Sequence, residues 1–108
     1  MKKGISKEEF KVYVHEWANK LEIEIGVISI RQMTSKWASY TAGTNLLIFD
    51  VDLLGMDLEV IDYVIVHELL HFRVPNHGKL WKSLMRAHLG DYEKLEEQIK
   101  SSSQKIDP

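Results

Sequence analysis

Cysteine is absent from this chain of 108 residues. No disulfide, thiolate zinc ribbon or Cys-His nucleophile can be built from it. Any metal must be held by nitrogen and oxygen, the ligands of histidine and carboxylate sites. An excess of positive charge is missing too: 14 Lys and Arg against 16 Asp and Glu leave a formal net charge of -2. That balance lacks the basic surface needed to track phosphate backbones, so no nucleic-acid partner is expected. Long apolar runs are also lacking. The longest, such as Leu46 to Phe49 and Tyr63 to Val66, fall far short of the roughly 20 residues that cross a bilayer, and no membrane span is expected. The start, Met1-Lys2-Lys3-Gly4, runs into Ser6-Lys7-Glu8-Glu9 and not into an apolar segment. No secretory leader is expected, and the cytoplasm is the expected location.

What is present is an ordinary globular composition, 44% apolar and 28% charged. The length suits one domain over 1–108 and not two. A chain of this size buries roughly two thirds of its unfolded surface, enough for one core.

Ser6 and Glu9 have the spacing of a capping box and open a helix through Leu21, with Phe10, Val14, Trp17 and Leu21 on its buried side. A strand is expected from about Ile23 to Met33, irregular at Gly26, and a loop from Ser35 to Gly43. A second extended segment runs from about Asn45 to Val51 and ends in a turn at Leu54-Gly55. It offers a sheet edge on which an extended peptide could add a strand. Asp57 is the expected N-cap of a helix reaching about Arg73, before Pro75 stops it. That helix is apolar nearly all round, with Val60, Ile61, Val64, Ile65, Val66, Leu69, Leu70 and Phe72, and so belongs in the middle of the fold. Asn76 should cap a third helix that ends at Leu89-Gly90. A short charged helix from Asp91 to about Lys100 and a mobile tail, 101–108, complete the chain.

The chemistry concentrates in His67-Glu68-Leu69-Leu70-His71. Positions four apart lie one helical turn above each other, so the two imidazoles point to one side. Zinc takes nitrogen ligands at about 2.0–2.1 Å in a tetrahedron, and this pair supplies two corners. Glu68 sits beside His67, within reach of a metal-bound water, as a base and not a ligand. The pentad can arise by chance. Its context argues otherwise, because burying three such groups in an apolar helix without partners would cost several kcal/mol. A hydrogen-bonded core cluster is the competing explanation.

A third ligand is needed to leave one position open. His77, six residues after His71 and beyond the break at Val74-Pro75, is the best placed. His15 lies far upstream. His88 is on the same face of the third helix as His77 but about 16 Å along it. Both read as surface or half-buried residues, and Trp17, Trp37 and Trp81 read as core.

The stretch Glu59-Val60-Ile61-Asp62-Tyr63-Val64-Ile65-Val66-His67-Glu68-Leu69-Leu70-His71, with Pro75-Asn76-His77 and Trp81 after it, resembles the zinc domain of YgjP-like and SprT-like metallopeptidases. In its brevity the chain is most similar to the minigluzincins, stand-alone relatives of the catalytic domains of membrane peptidases such as HtpX and the FACE-type CAAX proteases. The resemblance spans roughly Gln32 to Tyr92. It implies an α+β, zincin-like minimal domain: a small twisted sheet packed on a central HExxH helix, with flanking helices. It also implies a histidine as third ligand, a role that falls on His77. The chain departs from the YgjP-like Trp-Gly-Ser-Cys signature, having Trp37-Ala38-Ser39-Tyr40. No cysteine-rich ribbon follows, unlike DNA-repair SprT-type proteases. The three histidines fall at metzincin spacing, but Val74 replaces the glycine of that pattern.

The expected activity is zinc-dependent endopeptidase hydrolysis with one Zn2+ per chain, Glu68 assisting attack of zinc-bound water on a peptide or unfolded protein. Tyr40, Tyr63, His88 and Tyr92 are the candidates for stabilising the oxyanion. The resemblance further implies latency, in which the C-terminal segment from Asp91 to Pro108 blocks the cleft, within the chain or through self-association. The alternative, from another class, is a zinc-binding interaction module without peptidase activity.

Overall fold

The computed structural model describes residues 4–41, 43–72, 74 and 78–102. Their order is α1 (Lys7–Leu21), β1 (Ile28–Arg31), β2 (Ala38–Thr41), β3 (Leu46–Asp50), a 3-10 turn (Val51–Gly55), α2 (Leu58–Leu70), α3 (Lys79–Leu89) and α4 (Tyr92–Ser102). This is the α+β arrangement expected. Among the described residues no helix is long and apolar enough to cross a membrane.

The capping box forms as read. Glu9 N donates to Ser6 Oγ at 3.1 Å, and Ser6 N donates to Glu9 Oε1 at 3.0 Å. Phe10, Val14, Ala18 and Leu21 are the buried stripe of α1, while Trp17 is half-buried. Strand β1 starts only after Gly26, so the expected strand from Ile23 is much shorter. The chain there runs close to the turn before β3: Gly26 N donates to Asn45 O at 3.1 Å, and a Cβ at Gly26 would lie 2.8 Å from Thr44 O. Only glycine permits that approach.

The sheet has the order β1-β3-β2, with β1 parallel and β2 antiparallel to β3. Two expectations are corrected here. The expected loop 35–43 contains a strand, β2. The segment Asn45 to Val51 supplies the central strand and not an edge, because β3 is paired on both sides. Register explains the burial. Ile28, Leu47 and Tyr40 form one cross-strand row, and Ile30, Phe49 and Ala38 the next. Side chains alternate across a sheet, so these two rows share one face. All six are buried except Tyr40, which is half-buried. Phe10 of α1 meets Phe49 edge-on at 5.0 Å between centroids, so α1 lies over this face.

Helix α2 touches α1, α3, α4 and β2. Ten of its thirteen residues are buried, which is why its sequence is apolar on every side. Asp57 takes the N-cap position with extended backbone, but its side chain does not cap the helix. The helix stops at Leu70, with His71 as C-cap, three residues short of the expected end at Arg73, which lies outside the described residues. Gly78 is the N-cap of α3; Asn76, expected in that role, also lies outside the described residues. Gly90 closes α3 with φ +66°. The final helix is a docked element and not a loose charged one, since Tyr92 and Ile99 are 2% and 1% exposed. Residues 103–108, the rest of the expected tail, lie outside the described residues.

Candidate active site

Helix α2 carries the HExxH pentad at its C-terminal end. His67 and Glu68 are buried, at 1% and 3% exposure. His71, at the helix end, is half-buried. The two imidazoles stand on one face, with ring centroids 5.1 Å apart. Two imidazoles sharing a tetrahedral zinc at about 2.0–2.1 Å per bond have centroids about 5 Å apart, so this donor pair fits the metal that the sequence implies. Among the described residues no group of three or more metal-ligating side chains assembles. His77, the expected third ligand, lies outside the described residues.

The surroundings of the two histidines differ. Tyr63, four residues before His67, has its ring 5.6 Å from the His67 ring, and the Trp81 ring of α3 meets His67 edge-on at 4.9 Å. Beyond His71 the chain turns, and Val74 N donates to Leu70 O at 2.8 Å. Phe72 in this turn packs on Tyr40 of β2, with centroids 4.1 Å apart. The open edge of β2 therefore lies at the end of the helix that carries His71.

The orientation of that edge follows from one bond. Asp50 N donates to Trp37 O at 2.9 Å, so Trp37 and Asp50 are a hydrogen-bonded pair. In an antiparallel ladder such pairs alternate, which turns Ser39 and Thr41 toward β3 as well. The backbone N–H and C=O groups of Ala38 and Tyr40 point to the open side.

His15 and His88 are exposed, as read from the sequence. His88 lies at the far end of α3, where its ring meets Trp17 at 6.1 Å. Of the oxyanion candidates, Tyr63 directs its hydroxyl at Glu96 Oε2 at 3.5 Å, and Tyr92 is buried against Trp81 with its phenol pushed above the usual range by desolvation. Tyr40 remains the candidate on the open edge of the sheet. Sequence reasoning, which read Trp81 simply as core, missed its placement against His67 of the HExxH pentad. The spacing of Tyr63 four residues before His67 was a signal that could have shown their contact.

The family model described as YgjP-like, metallopeptidase domain, matches residues 1–102. An uncharacterized protein of Methanocaldococcus jannaschii is 31% identical over 104 residues, covering 93% of this chain and 94% of that protein. The crystal structure of the metallopeptidase zymogen of M. jannaschii jannalysin superposes with a TM-score of 0.79 at 29% identity, over 86% of this chain and 95% of that one. The metallopeptidase zymogen of Pyrococcus abyssi abylysin gives 0.78 at 17% identity, over 92% and 99%. At that lower identity the likeness is one of fold.

Proposed function

Because the chain belongs to the YgjP-like metallopeptidase domain family, and so is a metal-dependent peptidase, we propose that His67, His71 and His77 hold a single zinc ion per chain and that Glu68 is its catalytic base. The observation that carries this is the pair of imidazoles 5.1 Å apart on one face of α2, with Glu68 buried in the same pentad. Without cysteine, the donors this chain offers to zinc are histidine nitrogen and carboxylate oxygen. Zinc, when bound, supplies Lewis acidity toward the scissile carbonyl and makes water nucleophilic near neutral pH.

The chain's own residues do the rest. Glu68 accepts a proton from the attacking water and delivers it to the departing amine, so that one water is consumed and one acid and one amine are released. An extended peptide pairs with the outward backbone groups of Ala38 and Tyr40 on β2, the edge nearest His71. This replaces the segment around Asn45 as the substrate strand, since β3 has both its sides occupied.

Latency is part of the proposal, because jannalysin is described as a zymogen. The inhibitory segment lies within Asp91 to Pro108, of which α4 is docked through Tyr92 and Ile99, and removal of residues 103–108 is the cut that tests it.

Metal analysis and hydrolysis of an unfolded protein test the site. Wild type should carry one zinc per chain. Glu68→Gln should retain it while turnover falls by about 10²–10⁴-fold. His71→Ala and His77→Ala should each lose the metal. Full turnover by Glu68→Gln would remove it from the role of base. Zinc binding by a wild-type chain trimmed of residues 103–108, with no cleavage of any unfolded substrate, would return the reading of a zinc-binding module.

A further inference from the structure

Three aromatic-lined positions succeed one another along α2: Tyr63, His67 and His71, spaced by four. Helical side chains lean toward the N-terminus, so each ring lies over the one a turn before it. The Tyr63 and His67 rings are 5.6 Å apart with planes tilted by 35°, and those of His67 and His71 are 5.1 Å apart. Trp81 closes the flank of His67 from α3, edge-on at 4.9 Å and 65°.

Both of the rings around His67 are themselves held by α4. Tyr92 meets Trp81 edge-on at 5.8 Å, and Glu96 accepts from the Tyr63 hydroxyl at 3.5 Å. Arg86 of α3 lies over the Tyr92 ring at 5.5 Å and pairs with Glu93 at 3.1 Å, tying α3 to α4. Tyr63, Trp81 and Tyr92 are at most 2% exposed. His71 stands at the helix C-cap and is half-buried.

We propose that Tyr63 and Trp81 are positioning residues for His67, holding its imidazole in the metal-binding orientation, and that α4 is the strut that keeps them in place. The inference rests on the assignment of zinc to His67 and His71. A free imidazole rotates about two side-chain bonds and loses that freedom when it binds a metal. A ring already clasped between two aromatic neighbours has lost it on folding, so binding is stronger. His67 is thus a preformed ligand. Groups that orient metal ligands from the next layer out change metal affinity by about 10- to 100-fold when they are removed.

Zinc affinity, measured by competition with a chromophoric chelator on the full chain, is the test. Trp81→Leu and Tyr63→Leu should each bind zinc about tenfold more weakly. Trp81→Phe, which keeps a ring edge, should stay within about threefold of wild type, well short of the loss that removal brings. Phe10→Leu, a core change at the Phe49 contact, should lower the melting temperature and leave zinc affinity alone. Relaxation of isotope-labelled imidazoles in the apo-protein reads the same idea: the His67 ring should be rigid on the ps–ns scale in the wild type and gain mobility in Trp81→Leu. Unchanged His67 ring mobility in Trp81→Leu, wild-type zinc affinity in that variant, or an equal loss in Phe10→Leu would each overturn the positioning role. A wild-type chain that takes up no zinc would overturn the metal assignment together with it.

Discussion

The ring of Tyr40, on edge strand β2, lies 4.1 Å from that of Phe72, the residue that follows His71. This contact joins the sheet edge to the end of the helix that carries the HExxH pentad. Tyr40 also donates its hydroxyl to Asn45 Oδ1 at 3.3 Å, which ties it to the turn before β3. A substrate strand laid on β2 is thereby set at a fixed height relative to His71.

Tyr40→Ala removes this link. Aromatic pairs contribute about 0.5–1.5 kcal/mol beyond the area they bury, so a total loss of about 2 kcal/mol of stability is expected for this half-buried ring. The kinetic effect should fall mainly on KM for extended peptides, raised several-fold, with zinc content unchanged. Urea unfolding and steady-state kinetics on a chain trimmed of residues 103–108 measure the two parts. An unchanged KM would mean that substrate does not use this edge.

Two truncations separate the strut from the inhibitory segment. Ending the chain after Ser102 should leave the protein folded and raise peptidase activity. Ending it after Gly90 removes Tyr92 and Ile99 from the core. Each such side chain contributes about 1.5–3 kcal/mol on burial, and their joint loss is a large share of the roughly 5–15 kcal/mol that holds a domain together. The shorter chain should therefore melt many degrees lower or fail to fold. Unaltered peptidase activity and inhibitor binding after the first cut would argue against latency.

Local signals were readable and long-range ones were not. The capping box, the all-apolar α2 and the HExxH spacing each depend on residues within a turn or two of one another, and the structure has them where the sequence placed them. Strand β2 was missed because Ala38 and Ser39 are weak strand formers. Its burial comes from pairing Ala38 with Phe49 and Tyr40 with Leu47, which no local window contains. The central position of β3 had left a trace, since Leu46-Leu47-Ile48-Phe49 is a continuous apolar run of the kind that central strands carry. At the site, the two histidines of α2 were legible from their spacing. The clasp around His67 required α3 and α4 to be brought beside it. The residues between Phe72 and Gly78, where the third ligand was expected, are described only at Val74.

Asp62 gives a pH-dependent prediction away from the site. It is half-buried between α1 and α2 and accepts from Trp17 Nε1 at 3.0 Å. Desolvation pushes its carboxyl above the usual value of 3.8, with Glu16 and Glu59 acting in the same direction and the Trp17 bond and Lys20 opposing it. A carboxyl raised on folding binds its proton more tightly in the native state. Its contribution is therefore favourable below the unfolded pKa and is lost as pH rises through the folded one. At neutral pH the ionised group is a net cost. Asp62→Asn keeps an oxygen to accept from Trp17 and removes the charge. The variant should melt higher than wild type at pH 7, and the difference should shrink as pH falls toward 4. Thermal melts of both proteins between pH 4 and 7 would show this; a variant that melts lower than wild type at pH 7 would mean that the Trp17 bond needs the charged form and outweighs desolvation.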